Sequence, residues 1–444
     1  MEFVNLIPSF GGLLFTIATF LVALLIIIAV HEYGHYIVGR WSGIHAEVFS
    51  LGFGPVIWSR FDKRGTRWQL AALPFGGYVK FLGDASAASS KDTLAIEAMT
   101  DEQRRHTMHS APLWARAVTV AAGPVFNFIL SILVFGAVIA FRGVATDPLT
   151  IDELRPVPYL QELQSGDEIL AIEGMKTPAL EDFGDYIQSL PVAPLLDYTV
   201  LRDGREVTVS APVPYPAMIG GVTPGSAAID ADLKAGDVII SVDGIEMNAF
   251  SELRSYVGAS DGAELQLEVW RDGATLAIPL QPRRMDLPLS DGGFETRWLI
   301  GITGGMLFQP ATETPGLWQS ISQGAQQTYF VVKSSVSGLY HVVMGSISSC
   351  NLRGPIGIAQ TSGEVASQGI SNFIWFIAVL STAVGFLNLF PIPVLDGGHL
   401  VFHAYEAVTG RPPSDGAMRI LMAIGMALLL GLMVFALSND LFCP

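Results

Sequence analysis

His31 and His35 stand four residues apart in the run His31-Glu32-Tyr33-Gly34-His35, with a carboxylate beside the first. On a helix that spacing puts both imidazoles on one face, where they can hold a single metal ion. Glu32 then lies within reach of a water on that ion and can act as its general base. A divalent ion in such a site lowers the pKa of its water towards about 7, so hydrolysis is the chemistry to expect. The bland alternative is a solvated helix end. Location argues against it, because residues 3–30 carry no charge. Ionisable groups at the edge of such a run cost about 3 kcal/mol or more each in lipid unless paired or coordinated.

A hydrolytic zinc usually takes three protein ligands and leaves one position open. The third ligand must come from elsewhere, and Asn388-Leu389-Phe390-Pro391-Ile392-Pro393-Val394-Leu395-Asp396-Gly397-Gly398-His399 supplies candidates. Asp396 is the one carboxylate at the end of an apolar stretch. It could also cap the helix that starts near Gly397. His399 and His403 are its rivals, at i+3 and i+7 from Asp396, with packing as their simpler role. His45, His106, His109 and His341 show no ligand spacing. Two histidines and a carboxylate also suit ferrous iron; the adjacent base favours zinc.

These residues need a membrane to sit in. Half of the chain is hydrophobic and only 15% is charged, which argues against a wholly water-soluble protein. Four stretches, residues 10–30, 117–141, 373–394 and 420–437, reach the roughly 20 apolar residues that cross a bilayer. Residues 10–30 lack a basic leader and a small-residue cleavage site, so a span is expected there rather than a secretory signal. Pro391 and Pro393 break the third stretch, so irregular backbone is expected there, shielded by protein or lining a wet cavity.

Charge is unevenly placed. Residues 40–116 hold 10 Lys/Arg against 7 Asp/Glu, and residues 143–300 hold 10 against 26. The acidic excess thus belongs to one segment between spans two and three. Arg40, Arg104, Arg105, Arg116, Arg411 and Arg419 fall on one side, with Arg142 the exception. The positive-inside rule then places residues 40–116 in the cytoplasm and both termini outside. Nothing resembles a nucleic-acid-binding surface. Cys350 and Cys443, the only cysteines, both fall on the outer side, as one bridge or as two free thiols.

The acidic segment repeats itself. Leu163-Gln164-Ser165-Gly166-Asp167-Glu168-Ile169-Leu170 reappears as Leu233-Lys234-Ala235-Gly236-Asp237-Val238-Ile239-Ile240, and Arg202-Asp203-Gly204 as Arg271-Asp272-Gly273. Each copy reads as a small α+β module with an Asp-Gly hairpin. Thr223-Pro224-Gly225-Ser226-Ala227-Ala228, followed by residues 233–244, resembles a PDZ domain, a fold that adds an extended peptide to a sheet edge. The first copy lacks the Pro-Gly-Ser-Ala-Ala stretch and suits a spacer or steric screen.

The pairing of HExxH in the first span with a late Asn-x-x-Pro-x-Pro-x-Leu-Asp-Gly resembles the site-2 protease family of intramembrane zinc metalloproteases. The resemblance extends to residues 73–80, 122–127 and 351–357. It implies zinc held by His31, His35 and Asp396, with Glu32 as catalytic base and Asn388 helping to hold substrate. The family carries a second Asn five residues earlier, where this chain has Ala383. Residues 47–81 read as β-runs about an Asp62-Lys63-Arg64-Gly65 turn. The resemblance makes them a membrane-reentrant loop that clamps extended substrate, with Gly76, Gly77 and Tyr78 in contact. It also places Asn351, Gly354 and Pro355 near substrate.

The expected architecture is an α-helical membrane protein with about four transmembrane helices, a membrane-associated β-rich loop, and two inserted α+β PDZ-like domains. Its expected parts are residues 1–142 (HExxH helix, β-rich loop, second span), 143–213 and 214–305 (the two modules), 306–370 (interfacial helix and loop) and 371–444 (third ligand and last span). The resemblance implies a bacterial inner-membrane endopeptidase, multi-pass, with its modules outside the cytoplasm. It implies as substrate a single-span membrane protein, typically an anti-sigma factor already shortened by another protease, with remnant signal peptides as a second class. A new peptide C-terminus could bind the second module. A membrane metal transporter or a non-catalytic PDZ scaffold is the alternative, and Glu32 discriminates, because only a hydrolase needs a base there.

Overall fold

The computed structural model describes residues 10–84, 93–289 and 293–443. It divides into two compact units. One comprises Met1–Val138, Trp318–Tyr340 and Ser349–Pro444; the other comprises Ile139–Leu317 and His341–Ser348.

The first unit is built on long helices. α1 (Phe10–Trp41) and α2 (Leu113–Arg142) are joined by the β-rich loop. Further along the chain come α3 (Leu317–Val343), α4 (Pro355–Ser367), α5 (Ile370–Asn388), α6 (Asp396–Thr409) and α7 (Asp415–Phe442). Among the described residues, four segments are long and apolar enough to cross a membrane: Gly12–Trp41, Leu113–Arg142, Ile370–Asn388 and Gly416–Phe442. They match the four apolar stretches, with two differences. α1 continues past residue 30 to Trp41 and carries HExxH on the same helix as the span, as the four-residue spacing of the histidines implies. α5 stops at Asn388, six residues short of the apolar run, because Pro391 cannot continue the ladder and biases its predecessor away from helix.

Small residues let these helices approach closely. A Cβ on Gly34 of α1 would lie 2.5 Å from the Ala122 carbonyl oxygen of α2. On α5, a Cβ on Gly385 would sit 3.1 Å from the Pro124 oxygen of α2. Ala23 and Ile27 of α1 pack on Phe373 and Ile377 of α5. The expected interfacial helix is α3, which lays Ser320, Gly324 and Thr328 in a buried stripe. A Cβ on Gly324 would come within 2.9 Å of the Gly136 amide of α2. Trp318, Tyr329 and Phe330 of α3 stay exposed.

The β-rich loop is two bent strands that pair twice. The start of β1 (Ala46–Phe61) lies between both ends of β2 (Arg67–Phe81): Leu51 faces Gly77 on one side and Leu70 on the other. The far half of β1 then closes on the start of β2, with Val56 facing Ala71 and Phe61 facing Arg67. In space the order is therefore 56–61, 67–71, 46–51, 77–81. Among the described residues no further strand pairs with 77–81, which is an edge. The bend in β1 needs positive φ at Gly52 and Gly54 (89° and 82°), conformations that cost glycine little. The turn lies where the sequence placed it. Asp62 accepts the Arg64 and Thr66 amides at 2.8 and 3.0 Å, and Tyr36 of α1 donates to its other oxygen. Phe53, Ile57, Trp58, Leu73 and Phe75 stand exposed at the other end of the sheet.

The second unit holds the two sequence repeats as two modules of one design. Each carries a four-stranded antiparallel sheet with the same strand order. The repeated Gly-Asp and Arg-Asp-Gly signatures turn out to be structural. Asp167 takes the Arg202 guanidinium through both oxygens at 2.7 Å, and Asp237 takes Arg271 at 2.7 and 2.6 Å. Burial raises the Asp167 carboxyl; Arg202 and the Gln164 amide outweigh that and hold it below the usual carboxylate range. The Asp203-Gly204 and Asp272-Gly273 hairpins both have positive φ at each residue, the twist that two-residue hairpins require.

The modules are nested rather than simply consecutive. Phe308–Pro310 pairs with Ile151–Leu154, and Thr312–Glu313 pairs with Val144–Ala145. Leu307 and Phe308 are fully buried with Ile151, Ile169 and Tyr198. The chain leaves the first module, builds the second, and returns to complete the first.

Cys350 and Cys443 form a disulfide, with Cα atoms 5.6 Å apart. It ties the turn before α4 to the end of α7. Asn439 donates to the Ser349 and Leu352 carbonyls, and Asp440 accepts the Gly354 and Ile356 amides.

Candidate metal centre

Two consecutive helical turns near the end of α1 present His31 and His35, and the first turn of α6 presents Asp396. Asp396 reaches them because the chain between α5 and α6 folds back on itself. A Cβ on Gly397 would collide with the Leu389 and Phe390 carbonyl oxygens, and one on Gly398 with that of Ile392. The Pro-rich loop thus lies flat on two glycines, and the aspartate before them is aimed inward.

The three side chains converge. His31 Nε2 is 3.2 Å from Asp396 Oδ2, and His35 Nε2 is 3.5 Å from Asp396 Oδ1. The two Nε2 atoms are 3.2 Å apart. Tetrahedral ligands at roughly 2.0–2.2 Å from a zinc ion would be spaced roughly 3.3–3.6 Å from one another. Among the described residues this is the one group of three or more His, Cys, Asp or Glu side chains whose ligand atoms gather within 4.8 Å. Asp396 Oδ2 is buried, makes no well-aligned hydrogen bond and faces His31 Nε2 at 3.2 Å, as an oxygen placed to share a cation with that imidazole would. The donor set, the spacing and that buried oxygen all fit a small divalent ion. The side chains are 12%, 13% and 18% exposed, shielded from bulk solvent without being sealed.

The surroundings hold the imidazoles. His35 Nδ1 lies 2.9 Å from the Thr119 carbonyl oxygen of α2; donating there leaves Nε2 unprotonated and free to bind metal. His31 Nδ1 faces the Asn127 side chain at 3.3 Å. Gly123 of α2 makes the room, since a Cβ there would collide with His35 Nε2 and lie 2.8 Å from His31 Cε1.

Glu32 points to the β-sheet side of the site. Its carboxylate takes a hydrogen bond from the Val79 amide on the edge strand. Gly77 backs it: a Cβ at Gly77 would lie 2.9 Å from Glu32 Cγ and 2.8 Å from Ile28 Cγ2. The edge strand therefore runs along α1 beside the base. Gly76 is packed under the Phe53 ring, which stacks on Tyr78 with ring centroids 6.0 Å apart.

The other candidates fall elsewhere. Asn388 ends α5, with its amide donating to the Val384 carbonyl within the helix. Asn351, Gly354 and Pro355 belong to the turn that Asp440 and Asn439 hold. His399 packs edge-on against Phe402. His403 is pushed down to about 4 by burial, then by the Arg116 charge, so it is neutral near pH 7. Arg116 itself is paired with Glu406 at 2.7 and 2.9 Å. His109 bonds Asp84, and His106 bonds the Gly43 carbonyl.

Residues 122–127 resemble the family as a run, but the sequence alone assigns no task to Gly123, Asn127 or Thr119. The available signal was a fully polar Asn inside an apolar span, next to a Gly-Pro pair that a straight spanning helix does not need.

The chain is similar to known proteins over nearly its whole length. Residues 19–432 match the model of Peptidase family M50. The chain is 37% identical over 442 residues, 98% of each protein, to one of Agrobacterium fabrum named for an inferred zinc metalloprotease activity. It is 34% identical over 436 residues to one of Brucella suis named in the same way, covering 96% of this chain and 95% of that protein. With the Regulator of sigma E protease of Salmonella typhi it shares 32% identity over 460 residues, 97% of this chain and 99% of that one.

Proposed function

This chain belongs to peptidase family M50, the site-2 proteases, and from that membership we propose that His31, His35 and Asp396 hold its zinc and that Glu32 is the base of an intramembrane endopeptidase. The observation that carries the assignment is the meeting of those three side chains, drawn from both ends of the polypeptide, within 4.8 Å. Family membership makes the protein a zinc metalloendopeptidase with multiple membrane spans and sets aside a transporter or a passive scaffold.

When bound, zinc supplies Lewis acidity and makes water acidic enough to yield a nucleophile near pH 7. Glu32, held by the Val79 amide, is the group placed to accept a proton from the attacking water and would return it to the departing amide nitrogen. A spanning substrate helix hides its peptide bonds in its own hydrogen bonds, and each one freed in a low-dielectric site needs a new partner. The edge strand 77–81 offers them beside the base, with Gly76, Gly77 and Tyr78 at its start, and pairing with it would extend the substrate. The exposed Phe53, Ile57, Trp58 and Phe75 suit a sheet that dips into lipid. Asn388, at the end of α5, can exchange its intrahelical bond for one to substrate. By family likeness, Asn351, Gly354 and Pro355 lie along the path of substrate entry.

The substrate class we assign is a single-span membrane protein, an anti-sigma factor shortened outside by another protease, with remnant signal peptides second. The Salmonella relative's name supports the first. The nested modules are PDZ-like. In the second, a cavity of about 440 Å³ lies between the helix Phe250–Ala259 and the strand Phe294–Leu299. Arg254, Ser255, Gly258, Glu295, Thr296, Arg297 and Trp298 line it; Glu295 pairs with Arg297 at 2.6 Å, which leaves Arg254 as the cation to meet the free carboxylate of a peptide. The first module serves as a size screen against unshortened substrates. A disulfide persists in an oxidising compartment, so the Cys350–Cys443 bridge supports an outer location for that end of the molecule. The basic residues 40–116 then lie in the cytoplasm, as expected of a bacterial inner-membrane protein.

The test is cleavage of a single-span substrate by purified protein in lipid vesicles. Cleavage is expected to stop when a strong chelator removes the metal and to return on adding zinc. Cleavage that persists at full rate in metal-free protein would overturn the assignment.

A further inference from the structure

The two imidazoles are oriented by different means. His35 has a backbone acceptor, the Thr119 carbonyl at 2.9 Å. His31 has a side chain instead. Its Nδ1 faces Asn127 Nδ2 at 3.3 Å, and Asn127 is completely buried. Asn127 is itself fixed. Its backbone carbonyl oxygen accepts from Ser131 at 2.9 Å and from Ser381 of α5 at 3.0 Å. A Cβ on Gly385 would sit 3.1 Å from Asn127 Cβ, so α5 closes against it.

With the amide nitrogen toward His31, Nδ1 must be the bare nitrogen and Nε2 carries the proton, on the side where a metal would bind. The carboxamide oxygen is then buried with no partner. A half-turn of the carboxamide exchanges its two nearly isosteric ends. Oδ1 then accepts from Nδ1–H, and Nε2 presents a lone pair towards Asp396.

We propose that Asn127 is a positioning residue that, through Oδ1, fixes His31 in the Nδ1–H tautomer and so sets the metal affinity of the site. The proposal rests on His31 being a zinc ligand. It makes the α2–α5 contact part of the metal site's support, with Ser131 and Ser381 holding the residue that holds the ligand. Losing such an outer partner typically weakens metal binding about 10- to 100-fold.

The test compares zinc affinity, by chelator competition, and the visible spectrum of the cobalt-substituted protein for wild type, Asn127→Leu and Asn127→Asp. Leucine keeps the volume and removes the acceptor; aspartate keeps the shape and offers only acceptors. Asn127→Leu is expected to bind zinc about 10- to 100-fold more weakly with an altered cobalt spectrum, and Asn127→Asp to bind at least as tightly as wild type. A packing role predicts the reverse order, because a buried carboxylate would disturb the fold more than leucine would. Wild-type affinity in Asn127→Leu, or loss of zinc in Asn127→Asp, would overturn the proposal. If Asn127→Leu does not fold, Asn127→Asp decides alone. Failure of wild type to bind zinc would instead remove the metal centre itself.

Discussion

Glu32→Gln is expected to keep its zinc and lose about 10²- to 10⁴-fold in cleavage rate, the range set by removing a positioned general base. Glutamine has the same shape and can still accept from the Val79 amide, so the edge strand and the imidazoles stay in place. It cannot take a proton from water near pH 7. The measurement is metal content and single-turnover cleavage on the same preparation. Zinc retained with rate lost is the expected pair. Cleavage at the wild-type rate would remove Glu32 from the chemistry.

Gly123→Ala is expected to lose zinc and cleavage together, although a methyl group is the smallest possible addition to α2. The new carbon would meet His35 Nε2 and lie 2.8 Å from His31 Cε1. Both are ring atoms of the proposed ligands, and α2 is pinned there by the close approach of Gly34 to Ala122. The imidazoles must therefore move. A displacement of about 1 Å in such a site costs on the order of 10²-fold in rate. Alanine is also the better helix former, by about 1 kcal/mol, so the variant should not unfold for want of helix propensity. Chelator competition and the cleavage assay check it. Wild-type affinity for zinc would show that α2 does not wall the site.

Much of the site was legible in the chain. HExxH announces itself by spacing, and Asp396 by being a lone carboxylate where an apolar run ends. Both signals are local. The four spans follow from composition, and the ends that hydropathy misjudged are those set by other physics, such as the prolines after Asn388. The roles of Gly123, Asn127 and Thr119 depend on how α1 crosses α2, which no local pattern records. The return of residues 308–313 to the first module is equally silent, because strands of two or three residues carry no readable period. The sheet of β1 and β2 reads correctly as β-runs about Asp62, but its double pairing depends on the bend at Gly52 and Gly54. Cys350 and Cys443 lie 93 residues apart, and only the docking of α4 against the end of α7 decides between a bridge and two thiols. The repeated Gly-Asp and Arg pairs carried a strong sequence signal whose cause is structural, a buried ion pair in each module.

The decisive measurement is zinc stoichiometry in purified wild-type protein beside Asp396→Asn, read by elemental analysis after exhaustive washing. One zinc per chain in wild type and little or none in the variant is expected, because the amide neutralises the third ligand without changing its shape. A full complement of zinc in Asp396→Asn, with cleavage intact, would mean that the two ends of the chain do not close around a shared metal ion.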